Sequence, residues 1–422
     1  MSRVLLRLGQ SSAFYTFANA VEAVSPFILA VVVTRILLPA EYGAWVLFIS
    51  LVTFLRPILS LSLQDALRMR FYSMREAERA DFVWSFFMLL TLSALTIVIF
   101  AVASREMLSA FLKLPPDWMP AVGVMAYFFA IFYFLLAYSQ FDRRPGRFLS
   151  LHAIQTLFSI SLIVFLVLTG WGWTGIVVGK TVALALVCVV GAAWVLRELP
   201  MESARRKSPA FRPLVKFGLA YLPAGMSLVA IPLSDRLIVA HVLGLAENGI
   251  YGIASLFGVA VFVAINGILH AWMPWLFRRL SNLKENIREV RLASTAFFLV
   301  LPLGGFLAYV VSVAIAPIAI GERFDAAFPL IAWAIAGTVC MGFFFHWQAF
   351  LLFKEAIREM SISSGACILS NVIFSYFGAI YFGLEGVFAG TILAFFLAAA
   401  LSTTFAWLQF RDDVDAVRNI AL

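Results

Sequence analysis

The sequence predicts an all-α integral membrane protein: twelve transmembrane helices in two six-helix bundles, related by a pseudo-two-fold axis along the membrane normal. Composition, run length and an internal repeat carry this expectation. The chain is 63% hydrophobic and 13% charged, with mean hydropathy +0.97, where a soluble domain is about 45–50% apolar and about 25% charged. Water cannot cover so much apolar side chain, so the solvent is lipid. The apolar runs approach the roughly 20 residues that a helix needs to cross the hydrocarbon core, and only helices or closed barrels satisfy their backbone there. The pattern L-x-x-A-E-x-G occurs at Leu37–Gly43 and again at Leu243–Gly249, an offset of 206 residues (243 − 37). The spacing G-x-x-G-x-x-x-G joins Gly172, Gly175 and Gly179, and again Gly383, Gly386 and Gly390, an offset of 211 (386 − 175). Two landmarks in one order define two similar halves, a form of internal symmetry common among membrane transporters.

Taken in order, the spans of the first half fall at 13–35, 43–63, 82–103, 119–140, 150–170 and 174–196. Those of the second half fall at 215–240, 249–272, 293–317, 327–351, 361–381 and 386–409. The domains expected are therefore a bundle over 1–196, a basic linker over 197–214, a second bundle over 215–410 and a tail over 411–422. No connection is long enough for a soluble domain. Arg3 and Arg7 before an apolar run, with Ala18-Asn19-Ala20, have the look of a signal peptide. The run continues to Val33, so it reads as an uncleaved first helix. The glycine runs open spans six and twelve, where small residues let helices pack closely. Trp171 and Trp173 at the outer end of span five read as interfacial anchors.

Charge fixes the expected topology. Arg68, Arg70, Arg75 and Arg79, then Arg143, Arg144 and Arg147, the run from Arg197 to Lys216, and Arg278 to Arg291 all fall in alternate connections. Arg35, Arg105, Lys113, Arg236 and Arg323 fall in the opposite set. The positive-inside rule then places both termini in the cytoplasm. It also accounts for the net charge of +8 without a nucleic-acid partner. Cys188, Cys340 and Cys367 lie within apolar runs and form neither a disulfide framework nor a metal site. No Walker A, H-E-x-x-H, C-x-x-C or nucleophile-elbow pattern occurs, so neither a cofactor nor a catalytic residue is expected.

Ionisable groups at membrane depth are costly, about 2.5–3.5 kcal/mol at a helix centre, and invite a functional explanation. Here they are Glu22, Arg35, Arg56, Lys180, Asp235 and Arg236, with the histidines His241, His270 and His346. Arg56 stands in the middle of span two beside Pro57, and reads either as an ion-pair partner of Glu22 or as an anion contact in a wet cavity. Arg35 and Arg236 also fit interfacial placement near the outer ends of spans one and seven. Arg35, Arg56, Lys180 and Arg236 outnumber Glu22 and Asp235, which remain candidates for pairing or ion coupling. Such a cationic excess suits phosphate or pyrophosphate, which Arg binds through paired donors. Pro26, Pro223 and Pro232 fall inside spans one and seven, at equivalent positions in the halves. With Pro57 they mark candidate hinges, since broken helices at corresponding positions point to a transport site.

Thr34–Trp45 (TRILLPAEYGAW), Ser234–Tyr251 (SDRLIVAHVLGLAENGIY) and Gly321–Leu330 (GERFDAAFPL) resemble the first-loop, seventh-span and ninth-to-tenth-span patterns of the MOP-superfamily polysaccharide transporters, the Wzx-like flippases. The likeness covers essentially the whole chain. It implies two six-helix bundles around a central cavity that opens to each side alternately, in a bacterial inner membrane. The implied cargo is an oligosaccharide on undecaprenyl pyrophosphate, moved from inner to outer leaflet for O-antigen, exopolysaccharide or capsule. The implied partners are a glycan polymerase and a chain-length regulator. The related lipid II flippases use cavity arginines in spans one, two and eight. Arg35 and Arg56 match the first two, whereas span eight offers only Asn266 and His270. The alternatives are a multidrug–cation antiporter of the same superfamily, which wants acidic groups in its lumen, and a glycan polymerase, which needs sizeable outer loops.

Overall fold

The structure, a computed structural model, describes residues 25–199 and 211–420, with side chains described except at 213, 220–221, 223–225, 227–228 and 412–420. Among the described residues it consists of helices, turns and connecting segments without strands. The helices are α1 (Ser25–Ile36), α2 (Pro39–Ser60), α3 (Leu63–Arg70), α4 (Glu76–Ala103), α5 (Arg105–Leu112), α6 (Met119–Phe141), α7 (Pro145–Leu168) and α8 (Gly172–Glu198). There follow α9 (Phe211–Val242), α10 (Leu245–Leu280), α11 (Leu283–Ala319), α12 (Ile331–Phe353) and α13 (Ile357–Ile420). Among the described residues nine helices are long and apolar enough to cross a membrane. The protein is thus a multi-pass helical membrane protein. The chain divides into two compact units, residues 1–233 and 234–422.

In the first unit α6 is the central helix, packed against α2, α4 and α8. Its apolar face forms the core: Phe134 stacks on Phe86 with ring centroids 3.8 Å apart, and Met125 is fully buried. α4 lies at the periphery and presents Leu95, Ile99 and Phe100 outward, the pattern of a lipid-facing helix. The first glycine run works as small residues do in membrane bundles. A Cβ on Gly179 would lie 2.8 Å from the Ile163 side chain, and one on Gly175 would lie 3.1 Å from Leu166. α8 therefore packs on α7 at a separation that larger residues forbid.

α2 ends at Ser60, earlier than the apolar run implies. Leu61 and Ser62 adopt left-handed backbone (φ 46° and 50°) and turn the chain into α3. That short helix buries Leu63 and Leu67 and exposes Arg68 and Arg70. Arg56 is consequently one turn from the end of α2, not in the middle of a span. The hydropathy run misplaced it by counting Leu61 and Leu63, which belong to the turn and to α3.

The division between the units falls inside α9, directly after Pro232 and Leu233, whereas the sequence reading draws the domain boundary at 197–214. Packing explains the difference: Gly218 abuts Leu61, and Phe217 lies under the Arg70 guanidinium, tying the start of α9 to the first unit. α9 is helical throughout, through Pro223 and Pro232, so the expected break is not seen. A proline removes one ladder hydrogen bond, a defect that neighbouring helices tolerate in a bundle.

In the second unit α12 is central, packed against α10, α11 and α13. α13 is two helices joined at Gly383, whose φ of 63° and ψ of −140° lie outside the helical region and are accessible to glycine. Spans 361–381 and 386–409 meet there as a hairpin. Its arms touch at Gly378 and Gly386, where a Cβ on either would overlap the other's carbonyl, and Gly390 backs on Ser375. Both glycine runs thus serve close helix approach.

α10 and α11 have 36 and 37 residues, about 54–56 Å at 1.5 Å per residue against a hydrocarbon core of about 30 Å. Hydropathy ended these spans at 272 and began them at 293, because Arg278 to Arg291 stop the apolar run but not the helix. Arg279 anchors the tip, donating to Glu289 at 2.7 Å with its guanidinium 4.1 Å from the Trp275 ring centroid. Leu276, Leu280 and Val290 pack there with Phe350 and Phe410.

Candidate functional site

Arg56 and Pro57 form one wall of a cavity of about 240 Å³ in the first unit, completed by Ser62, Gln64, Asp65, Arg68 and Tyr133. Pro57 lacks the N–H that the Thr53 carbonyl would accept, which loosens the last turn of α2. The turn at Leu61–Ser62 then brings the first residues of α3 back over Arg56. Arg68 donates to Asp65 Oδ1 at 3.2 Å, and Ser60 Oγ donates to Gln64 Oε1 at 3.3 Å. Arg56 Nε and Ser62 Oγ are buried and, among the described residues, have no hydrogen-bond partner. Two guanidiniums face one carboxylate, so the lining is net cationic and holds unsatisfied donors.

Lys180 joins Arg56 through α6. The Arg56 guanidinium lies 4.3 Å from the Tyr133 ring centroid, and Lys180 Nζ lies 5.7 Å from that of Phe129. Phe129 and Tyr133 are one helical turn apart and stack, with centroids 6.0 Å apart and planes 22° from parallel. Cations over aromatic faces are held there electrostatically. The result is a stripe of two cations and two rings along one face of α6.

The structure does not bring the other expected groups to this stripe. Arg35 is exposed at the end of α1 and donates to its own helix at Val31 O, 3.1 Å away, which fits the interfacial reading. Arg56 is about 26 Å along α2 from Pro39, the helix start beside Arg35. Glu22 lies outside the described residues, so its pairing with Arg56 does too. Pro26 lies in the described part of α1 and is exposed, while Pro223 is described in backbone only.

Asp235 anchors a separate polar cluster inside the second unit. It is 2% exposed and accepts from Tyr251 Oη (3.0 Å), Thr391 Oγ1 (2.9 Å) and Asn371 Nδ2 (3.2 Å). Ser234 Oγ donates in turn to Asn371 Oδ1 at 3.0 Å. The cluster ties α9, α10 and both arms of α13. Buried carboxylates persist when several donors satisfy them. Arg236, half-buried, points about 100° away around the helix. Tyr133, Arg68 and Ser62 in one unit, and Tyr251, Asn371 and Thr391 in the other, are not among the site residues expected from the sequence.

Against known proteins, the sequence profile of a family described as "Polysaccharide biosynthesis protein" matches residues 32–329. The chain belongs to this family. No curated protein matches it in sequence. Among solved structures, family likeness extends to the fold. The chain is similar to an inward-facing multidrug resistance MATE transporter of the MOP superfamily, with TM-score 0.74, 15% identity, and 94% of this chain and 96% of that one covered. It is also similar to the lipid II flippase MurJ in an inward closed conformation, with TM-score 0.71, 14% identity, and 93% and 86% covered. A MATE structure in complex with MaL6 gives TM-score 0.62 at 15% identity, with 98% and 96% covered. The family member described here therefore shares the fold of these MOP-superfamily transporters.

Proposed function

We propose that the protein is an alternating-access flippase that carries an undecaprenyl-pyrophosphate-linked oligosaccharide from the inner to the outer leaflet for surface polysaccharide synthesis. The observation that carries this reading is the stripe on α6, where Arg56 and Lys180 sit on stacked rings one turn apart. A pyrophosphate has two phosphoryl groups, and two cations at successive depths suit it better than a single ammonium or a neutral sugar. The prenyl tail stays in lipid. Twelve spans in two repeats fit the pattern of burial. The third and ninth spans, in α4 and α11, are the least buried, at 22% and 11%, and the fourth and tenth are far more so, at 67% and 61%. Arg68 and Arg70 put the mouth of the cavity on the cytoplasmic side under the positive-inside rule, where the cargo begins. Pro232 and Pro57 absorb bending, and a polymerase and chain-length regulator receive the product.

The test is replacement of Arg56 by Ala in cells that depend on this protein for surface glycan. Glycan display is expected to fall at least tenfold while the protein still reaches the membrane. Unchanged display at equal protein level would remove Arg56, and with it the head-group reading. The likeness to MATE transporters favours a second reading, a multidrug–cation antiporter. Asp235 speaks against it, since its oxygens are already taken by three neutral donors rather than offered to a cationic drug. Increased drug resistance on expression, without any effect on glycan, would reverse the ranking.

A further inference from the structure

We propose that Asp65 is a resident counter-ion of the Arg56 cavity, occupying the place of an anionic ligand and yielding it when the ligand arrives. This rests on the reading of that cavity as a head-group site and names what regulates it. The cavity holds the guanidiniums of Arg56 and Arg68, and Asp65 is its one carboxylate. Asp65 accepts from Arg68 at 3.2 Å, three positions along its own helix, in a pair whose side chains are 47% and 23% exposed. Such pairs are weak and easily exchanged. The stronger binding opportunity lies beside it: the buried Arg56 Nε, and Ser62 Oγ on a side chain 1% exposed, both without a partner among the described residues. The first turn of α3 adds backbone N–H groups that favour negative charge. Asp65 satisfies part of this field when no ligand is bound, and its own charge then opposes any ligand that approaches. A single anion gains little by the exchange, whereas a phosphoryl dianion gains a second guanidinium.

The charged and titratable groups around Asp65 are Arg68 on α3, Arg56 on α2 and Tyr133 on α6. Burial raises the Asp65 carboxyl above its usual range, against the opposite pull of Arg68 and then Arg56. The sign follows directly. As pH falls through that raised value Asp65 becomes neutral, the competitor is lost, and anion binding tightens.

The test uses purified full-length protein and sulfate, which stays fully ionised from neutral pH down through the carboxylate range, with affinity read by calorimetry. The wild type is expected to bind sulfate more tightly at the acid end. Asp65→Asn is expected to bind it at least about fivefold more tightly at neutral pH, the effect of one unit charge at about 4 Å even in bulk water, and to lose the pH dependence. A flat wild-type profile, or an Asp65→Asn affinity equal to or below wild type, overturns the proposal. The wild-type profile decides alone if the variant does not fold. Arg56→Gln separates this from the wider reading. Binding that needs Arg56 but ignores Asp65 sinks only the counter-ion. Binding indifferent to Arg56, or no binding in any form, sinks the head-group site as well.

Discussion

Tyr133 shows how a single ring decides where a charge can live. Arg56 is one turn from the end of α2, and the face of Tyr133 beneath it replaces part of the hydration it gives up. Tyr133→Leu is expected to lower glycan export several-fold at equal membrane level, in line with a cation–π contribution of about 1–2 kcal/mol for a partly desolvated pair. Tyr133→Phe, which keeps the ring, should export normally. Equal damage from both variants would assign the role to the hydroxyl instead. Asp235 makes the complementary case. Asp235→Leu removes an acceptor shared by Tyr251, Thr391 and Asn371; Thr391 keeps Val387 O and Asn371 keeps Ser375 Oγ, so the cost, about 1–3 kcal/mol for a stranded donor, falls chiefly on the Tyr251 hydroxyl. The melting temperature of Asp235→Leu should fall well below that of Asp235→Asn, which retains an acceptor oxygen; equal values would show that these bonds carry no stability.

Helix pairs here are set by what is missing from their contact faces. Gly378 and Gly386 meet backbone to backbone, and Gly390 meets Ser375 in the same hairpin. Holding Ser375 and Thr391 close is also what lets one carboxylate bridge α9 and both arms of α13. Gly386→Val is expected to force the arms apart, at a cost of about 1–3 kcal/mol or more for overpacking, and to cut the yield of folded protein from membranes. Gly365→Val, on the same chain segment but exposed with open space around it, serves as the control. Comparable yields from the two variants would mean that the close approach is not required. Nine apolar spans among the described residues were legible in hydropathy, and so was the closeness of the glycine runs. α3 was not, since Leu63–Arg70 mixes buried leucines with charge in too short a run to show a period. Arg56 and Lys180 stood out as charges in apolar stretches. Tyr133 did not, being one aromatic among many, and Asn371 and Thr391 lie 136 and 156 positions from Asp235, beyond any local pattern.

On the scale of the whole chain, sidedness is the property on which transport turns. If the basic connections face the cytoplasm, a cysteine at Ser281, at the tip between α10 and α11, should react with an impermeant maleimide only after the membrane is opened. One at Thr169, at the end of α7, should react in intact cells. The reverse pattern would invert the topology and put the Arg56 cavity on the wrong face for its cargo. Both positions are exposed. The background for this labelling must lack Cys188, Cys340 and Cys367.

The length of α10 and α11 has a practical consequence. Two helices roughly 25 Å longer than the hydrocarbon core, clamped at their tip by Arg279, Glu289 and Trp275, make a stiff projection on the second unit. An antibody fragment or nanobody raised to this projection would be held rigidly enough to align particle images. It would give a chain of this small size the visible landmark that high-resolution microscopy of its transport states requires.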